Sequence, residues 1–153
     1  NVLFLFVGDG YQNKFLRQEC VKNKLTNCVF LPFQDKKDLP FILSSASVGV
    51  VSLSKKISGL IAPSKLYGHL ACGTPIAAIS GKDSYLKKLI EDHKCGKWFK
   101  NGNHEGLAEW IFKVYQQKEL SKKVGESSLD LFLKEFTLDI VSKKYLNIIN
   151  RNL

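Results

Sequence analysis

Three short segments carry residue types whose spacing could hold an anionic ligand. The first is Val7–Gly8–Asp9–Gly10, where an apolar run ends in two glycines flanking one residue. Glycines there let the backbone turn tightly and approach a phosphate or ribose with no side chain between. Asn13 stands where the full dinucleotide fingerprint would place a third glycine, and a plain tight turn would use the same residues. The second is Gly59–Leu60–Ile61–Ala62–Pro63–Ser64–Lys65, a loop that leaves one apolar run and enters a helical pattern near Ser64. A helix start presents unpaired amides and partial positive charge, which suits an anion. Ser64 can cap that helix or donate to a phosphate oxygen. Lys65 falls in the first turn, where a cation opposes the helix dipole by about 0.3–1 kcal/mol unless an anion accompanies it. The bland alternative is a capping serine beside a solvated lysine. The third segment, Cys72–Gly73–Thr74–Pro75, closes the helix and launches the next apolar run, so its role is architectural.

Other chemistries find less support. His69, His93 and His104 are isolated, and Trp98 and Trp110 read as packing residues. Neither the nucleophile elbow of the hydrolases nor the P-loop pattern is present. Cys20, Cys28, Cys72 and Cys95 are too widely spaced for a zinc site and lie in or beside apolar stretches, as reduced thiols do.

The elements that must position these segments alternate along the chain. Apolar runs at Val2 to Val7, Cys28 to Leu31, Val48 to Leu53, Pro75 to Ile79 and Lys97 to Phe99 read as strands. Helical patterns cover Gln12 to Asn23, Leu39 to Ala46 with Asp38 as cap, Ser64 to Cys72, and Ser84 to Asp92. Three more follow, His104 to Gln117, Leu120 to Phe136 and Leu138 to Asn150. Strands that are apolar on both faces and separated by helices predict an α/β fold, a doubly wound parallel sheet with ligands at the carboxyl ends of its strands. At 153 residues the chain is one domain. It opens directly on a core strand and lacks the basic start of a signal peptide, and no apolar run approaches the roughly 18 residues of a membrane span. The net charge of +9 would attract nucleotides, anionic membrane or nucleic acid alike. The lysines come in scattered pairs without interleaved aromatics, so nucleic acid is not expected as a partner.

The order VGDG, VFLPF with DLPFILSSASVGVVSL, GLIAPSKLYGHLACGTPIAA, CGKWF and NGNHEGLAEWI resembles the C-terminal domain of retaining GT-B glycosyltransferases, the group 1 set of family 4. The resemblance runs from Val2 to about Lys144 and implies a Rossmann-like domain that binds the nucleoside diphosphate of a sugar donor. By position it implies that Gly8 and Gly10 lie near the donor cleft and that the backbone of Leu31, Pro32 and Phe33 lines the nucleobase. Ser64 and Lys65 would start the phosphate-facing helix, with Gly59, Pro63 and Gly68 completing the donor segment. It further implies transfer of a hexose, with retention, to a glycan or lipid-linked acceptor in polysaccharide biosynthesis. That would take place in the cytoplasm, at the inner face of the membrane, with no metal or cofactor.

Two departures stand out. The family often carries paired glutamates eight positions apart, and the matching positions here are Leu60 and Gly68. The family domain also begins with one more strand and helix, so the chain reads as a fragment lacking its N-terminal acceptor-binding domain. The alternatives are half of a nucleotide-sugar epimerase, for which no acid/base residues are placed, and a non-catalytic nucleotide- or membrane-binding module.

Overall fold

The computed structural model describes residues 2–54 and 61–151. The chain divides into two compact units, Asn1–Leu39 and Pro40–Leu153. In the first, β1 (Phe4–Val7) and β2 (Cys28–Leu31) pair in parallel, Phe4 opposite Cys28 and Val7 opposite Leu31. They are joined through α1 (Asn13–Lys22). The rings of Phe6 and Phe30 stack at 4.7 Å, and the Arg17 guanidinium lies 4.5 Å above Phe30.

The second unit holds α2 (Leu39–Ser44, starting at the unit boundary), β3 (Gly49–Ser52), α3 (Ser64–Ala71), β4 (Ile76–Ser80), α4 (Tyr85–His93) and β5 (Gly96–Lys100). It ends in α5 (His104–Gln116), α6 (Lys118–Glu135) and α7 (Leu138–Arg151). The strands pair in parallel in the order β3-β4-β5, with Ile76 between Gly49 and Gly96. Alternation along β4 explains the layers. Ile76 and Ala78 join Leu66 and Leu70 of α3, Leu86 and Ile90 of α4 and Leu131 of α6, while Ala77 joins Phe99, Trp110 and Val114 on the α5 side. Both faces are covered, as a central parallel strand requires. Each of those buried leucines and isoleucines contributes about 1.5–3 kcal/mol of apolar burial.

The expected α/β class with parallel strands is borne out, and the element boundaries fall within a few residues of the pattern. The five strands are divided between two sheets, β1-β2 and β3-β4-β5. An apolar run marks a strand but neither its burial nor its partner, so this division is not written in the periodicity, and no residue of β1 or β2 is fully buried.

Every fully buried side chain among the described residues belongs to the second unit. A two-stranded layer without such a core opens easily. Native-state hydrogen exchange should therefore find amides of β1 and β2 exchanging at least ~100-fold faster than those of β4. Equal protection would show that the first unit shares the global stability of the second.

Candidate functional site

The carboxyl ends of β3, β4 and β5 each lead toward a helix start, and the three starts are finished differently. The α4 start is closed by Ser84, whose hydroxyl accepts from the Lys87 amide at 3.1 Å. The α5 start is closed by Asn103, whose Oδ1 accepts from the Gly106 amide at 3.1 Å. At α3 the cap position is taken by Pro63, extended at φ −72° and ψ 116°, and no side chain accepts there. This corrects one expectation: Ser64 is the first helical residue and does not cap, because proline occupies the position from which a cap would act. The Ser64 and Lys65 amides have no hydrogen-bond partner among the described residues.

Both side chains are exposed, and no acidic residue lies in the first turn of α3. Lys65 has no ion-pair partner among the described residues. The helix itself is firmly seated, since Leu66 and Leu70 are fully buried. Its start is tied to that of α4 by the Tyr67 and Tyr85 hydroxyls, 3.3 Å apart, and Tyr67 packs edge-on against Phe136. Burial, with the Tyr67 bond, pushes the Tyr85 phenol well above the usual tyrosine range, so it stays neutral. The arrangement is a firmly seated, uncapped helix start whose first two amides and whose cation have no partner among the described residues. It can hold a phosphate oxygen or a carboxylate.

Gly68, one turn into α3, faces α2: a β-carbon there would fall 2.8 Å from Leu43 Cδ1. Leu43 fills the space into which a side chain at 68 would grow. Gly59 lies outside the described residues.

His69 sits one turn beyond Lys65, its ring laid on Gly49, where a β-carbon would fall 2.5 Å from the ring. Its Nδ1 is buried and accepts no hydrogen bond among the described residues. Burial, and then the Lys65 charge, lower its pKa below the ordinary histidine range. The folded state thus binds a proton at 69 less readily than the unfolded chain. The associated stability is present above the ordinary range and lost as pH falls through it. The midpoint of thermal unfolding should drop more steeply between about pH 7.5 and 5.5 in the wild type than in His69→Gln. Parallel slopes would remove His69 as the cause.

In the first unit, the turn after β1 brings three of the expected residues together. Gly8 has φ +99°, and its amide donates to the Leu31 carbonyl at 3.0 Å. A β-carbon on Gly8 would meet the exposed Phe33 ring at 3.3 Å. Asn13 Nδ2 donates to the Gly8 carbonyl at 3.3 Å. Pro32 is exposed, and its carbonyl accepts from Gln34 Nε2 at 2.9 Å. Gly10 faces open space.

The sequence reading missed the Asn103 cap, the Tyr67–Tyr85 link and Asn101, whose side chain bonds the Leu53 carbonyl. The Asn-Gly-Asn run after β5 is a turn signal that marks the place but not the bonds. A surface cleft of about 350 Å³, lined by Gly73, Thr74, Pro75, Ser121 and Lys122 among others, lies at the opposite end of α3 from Ser64. It is a separate feature of the amino-terminal edge of β4. The four cysteines are free thiols, and burial pushes Cys95 up to about 11. Among the described residues no three His, Cys, Asp or Glu side chains gather as a metal site, and no helix is long and apolar enough to cross a membrane.

Residues 1–129 match the family described as Glycosyl transferases group 1. The chain belongs to that family. This group 1 chain is 27% identical over 96 residues to a probable glycosyltransferase, WbjE, of Pseudomonas aeruginosa, covering 61% of itself and 23% of that protein. Its fold is similar to that of WaaG, a glycosyltransferase involved in lipopolysaccharide biosynthesis. There the TM-score is 0.70 at 18% identity, over 94% of the group 1 chain and 37% of WaaG. It is also similar to a variant of S. aureus TarM crystallised with Fondaparinux, alpha-GlcNAc-glycerol and UDP. The TM-score is 0.78 at 18% identity, over 97% of the group 1 chain and 29% of TarM. The group 1 chain thus spans about a quarter to a third of the length of these proteins. The GT-B likeness expected from the sequence motifs is borne out.

Proposed function

We propose that this chain is the donor-binding part of a glycosyltransferase and holds the diphosphate of a nucleotide sugar at the start of α3. The observation that carries the reading is the uncapped helix start, with the Ser64 and Lys65 amides and the Lys65 charge unanswered among the described residues. Family membership supports sugar transfer as the reaction. When the glycosidic bond to the diphosphate breaks, negative charge grows on the leaving phosphate oxygen. Fixed amides and a lysine placed before the reaction stabilise that charge without reorganising. Pro63 and Gly68 belong to the same helix and complete its diphosphate segment, while Gly8, Gly10, Leu31, Pro32 and Phe33 belong to the first unit and would take a nucleoside there. The sugar is a hexose and the acceptor a glycan or lipid-linked saccharide of a polysaccharide pathway, with no metal or cofactor taking part.

The acceptor is held by an N-terminal domain outside this chain. A face of α7 supports that partner: Leu138, Tyr145, Leu146 and Ile149 are all more than half exposed, and no α7 residue is fully buried. The charge of +9 supports a cytoplasmic location at an anionic membrane surface. Nucleic acid is not among the partners.

Calorimetric titration with UDP, GDP and ADP and their sugars tests the donor reading, with UDP first because the TarM structure contains it. Saturable binding of one series is expected. No binding of any at millimolar concentration sinks the reading. Transfer of sugar to a lipid-linked acceptor, once an N-terminal half is supplied, tests the reaction itself.

A further inference from the structure

Two thiols meet in the first unit. Cys20 lies in the last turn of α1 and Cys28 opens β2, and their side chains are hydrogen-bonded to one another. Each backbone is fixed independently of that contact. The Leu25 amide donates to the Cys20 carbonyl at 2.9 Å and the Lys24 amide to the Val21 carbonyl at 3.1 Å, around Lys24 at φ +52°. This double-bonded helix ending sets the path of the chain from Cys20 toward β2. The Phe4 amide donates to the Asn27 carbonyl at 2.8 Å, and Asn27 Nδ2 donates to the Val2 carbonyl at 3.0 Å. The start of β2 is thereby pinned to the start of β1. The fold itself, not an attraction between sulfurs, brings the two thiols together.

The other two cysteines belong to the second unit and differ in kind. Cys95 is fully buried, and the Cys72 thiol points to the Pro40 carbonyl at 4.0 Å. Cys20 and Cys28 are only half-buried, so a small disulfide can reach them. Burial, and then the neighbouring Cys20, hold the Cys28 thiol above its ordinary range. That suits Cys28 to the second of two steps, once a sulfur to attack is already in place.

We propose that Cys20 and Cys28 form a reversible disulfide clasp of the first unit, closed by exchange with a small disulfide of the glutathione class. It depends on no part of the donor reading. The Cys20 thiolate attacks oxidised glutathione, forming a mixed disulfide and releasing one reduced glutathione. The Cys28 sulfur then attacks that of Cys20. The bond to glutathione breaks, and the second glutathione leaves with the Cys28 proton. Two protein thiols are oxidised and one small disulfide is reduced to two thiols. A reducing poise keeps the pair open and an oxidising one closes it. The link closes a short loop in a unit without a fully buried side chain, so it has leverage there. In the chain-entropy account a loop this short favours the linked unit roughly 10–100-fold. The same factor favours closing the link in the folded chain over the unfolded one, because the two equilibria share a cycle.

The test equilibrates the full chain with oxidised and reduced glutathione at several ratios, traps free thiols by alkylation and maps the products by mass. A link joining the Cys20 and Cys28 peptides is expected, and excess reduced glutathione should reverse it. It should be at least about tenfold more favoured in the native chain than in urea. The linked chain should exchange its β1 and β2 amides roughly 10–100-fold more slowly than the reduced chain, with β4 unchanged. Cys28→Ser should stop at the glutathione adduct of Cys20, and Cys72→Ser should leave the link as it is. Glutathione adducts that persist on native Cys20 or Cys28 in place of the link overturn the clasp. So does a link no more favoured in the native chain than in urea, or one that leaves β1 and β2 exchange unchanged.

Discussion

Lys65→Glu should weaken the binding of nucleoside diphosphates at least about a hundredfold while changing nucleoside binding by no more than a few-fold. The size follows from two contributions. Losing a hydrogen bond to a charged group costs about 1.5–3 kcal/mol, which is roughly tenfold to a hundredfold, and Lys65→Ala should show that part alone. The glutamate adds repulsion. At an effective dielectric near 20, two charges about 4 Å apart repel by about 4 kcal/mol, and the exposure of residue 65 reduces that substantially. The fold should be untouched, because Lys65 has no ion pair to lose among the described residues and a glutamate in the first turn suits the helix dipole by about 0.3–1 kcal/mol. Stability and affinity therefore move in opposite directions, which no general weakening of the protein can mimic. Calorimetry with UDP and uridine, beside thermal melts, separates them. Equal loss for both ligands would mean that Lys65 does not face the phosphates.

The helix start was legible because two kinds of local signal coincide there. Ser64 and Gly73 bracket an apolar pattern that buries Leu66 and Leu70, and Pro63 cannot continue a helix backward. What the pattern could not settle is which residue occupies the cap. Ser64 has the chemistry of a cap, yet Pro63 holds the position, and this shift by one residue frees the serine hydroxyl from the helix. The β1–β2 pair was legible as strands but not as a separate sheet, since pairing is decided between distant segments. Asn101 was illegible for the same reason. A 48-residue separation leaves no periodic trace, and the neighbouring Asn103, identical in type, merely caps its own helix. Gly68 is intermediate: its position was found by counting back from Gly73, but the leucine that fills its space comes from α2.

Gly125→Ala should destabilise the protein by about 3 kcal/mol, lowering the unfolding midpoint by roughly 6–12 °C for a chain of this size. Intrinsic preference argues the other way, because alanine is favoured over glycine inside a helix by about 1 kcal/mol. Sterics win here. A β-carbon at 125 would be driven onto the Gly73 carbonyl oxygen, far inside contact distance, with Pro75 Cδ 3.8 Å away. That carbonyl cannot retreat: Gly73 has φ +64°, and the turn is fixed by the bonds from its amide to Leu70 and from the Thr74 amide to His69, both 3.0 Å. Helix α6 must move instead, and two buried groups move with it. Ser128 Oγ would leave the Thr74 carbonyl at 2.9 Å and the Cys95 carbonyl at 3.1 Å, and Leu131 would leave the core. Gly10→Ala is the control, since a β-carbon there meets nothing within 4 Å, and its effect should stay within about 0.5 kcal/mol. Equal melting of the two variants would show that α6 gives way freely at Gly73. Because α6 and α3 pack against each other, the same substitution should also loosen the far end of α3. A weaker hold on UDP in Gly125→Ala, measured well below its own midpoint, would tie the packing at one end of that helix to the anion site at the other.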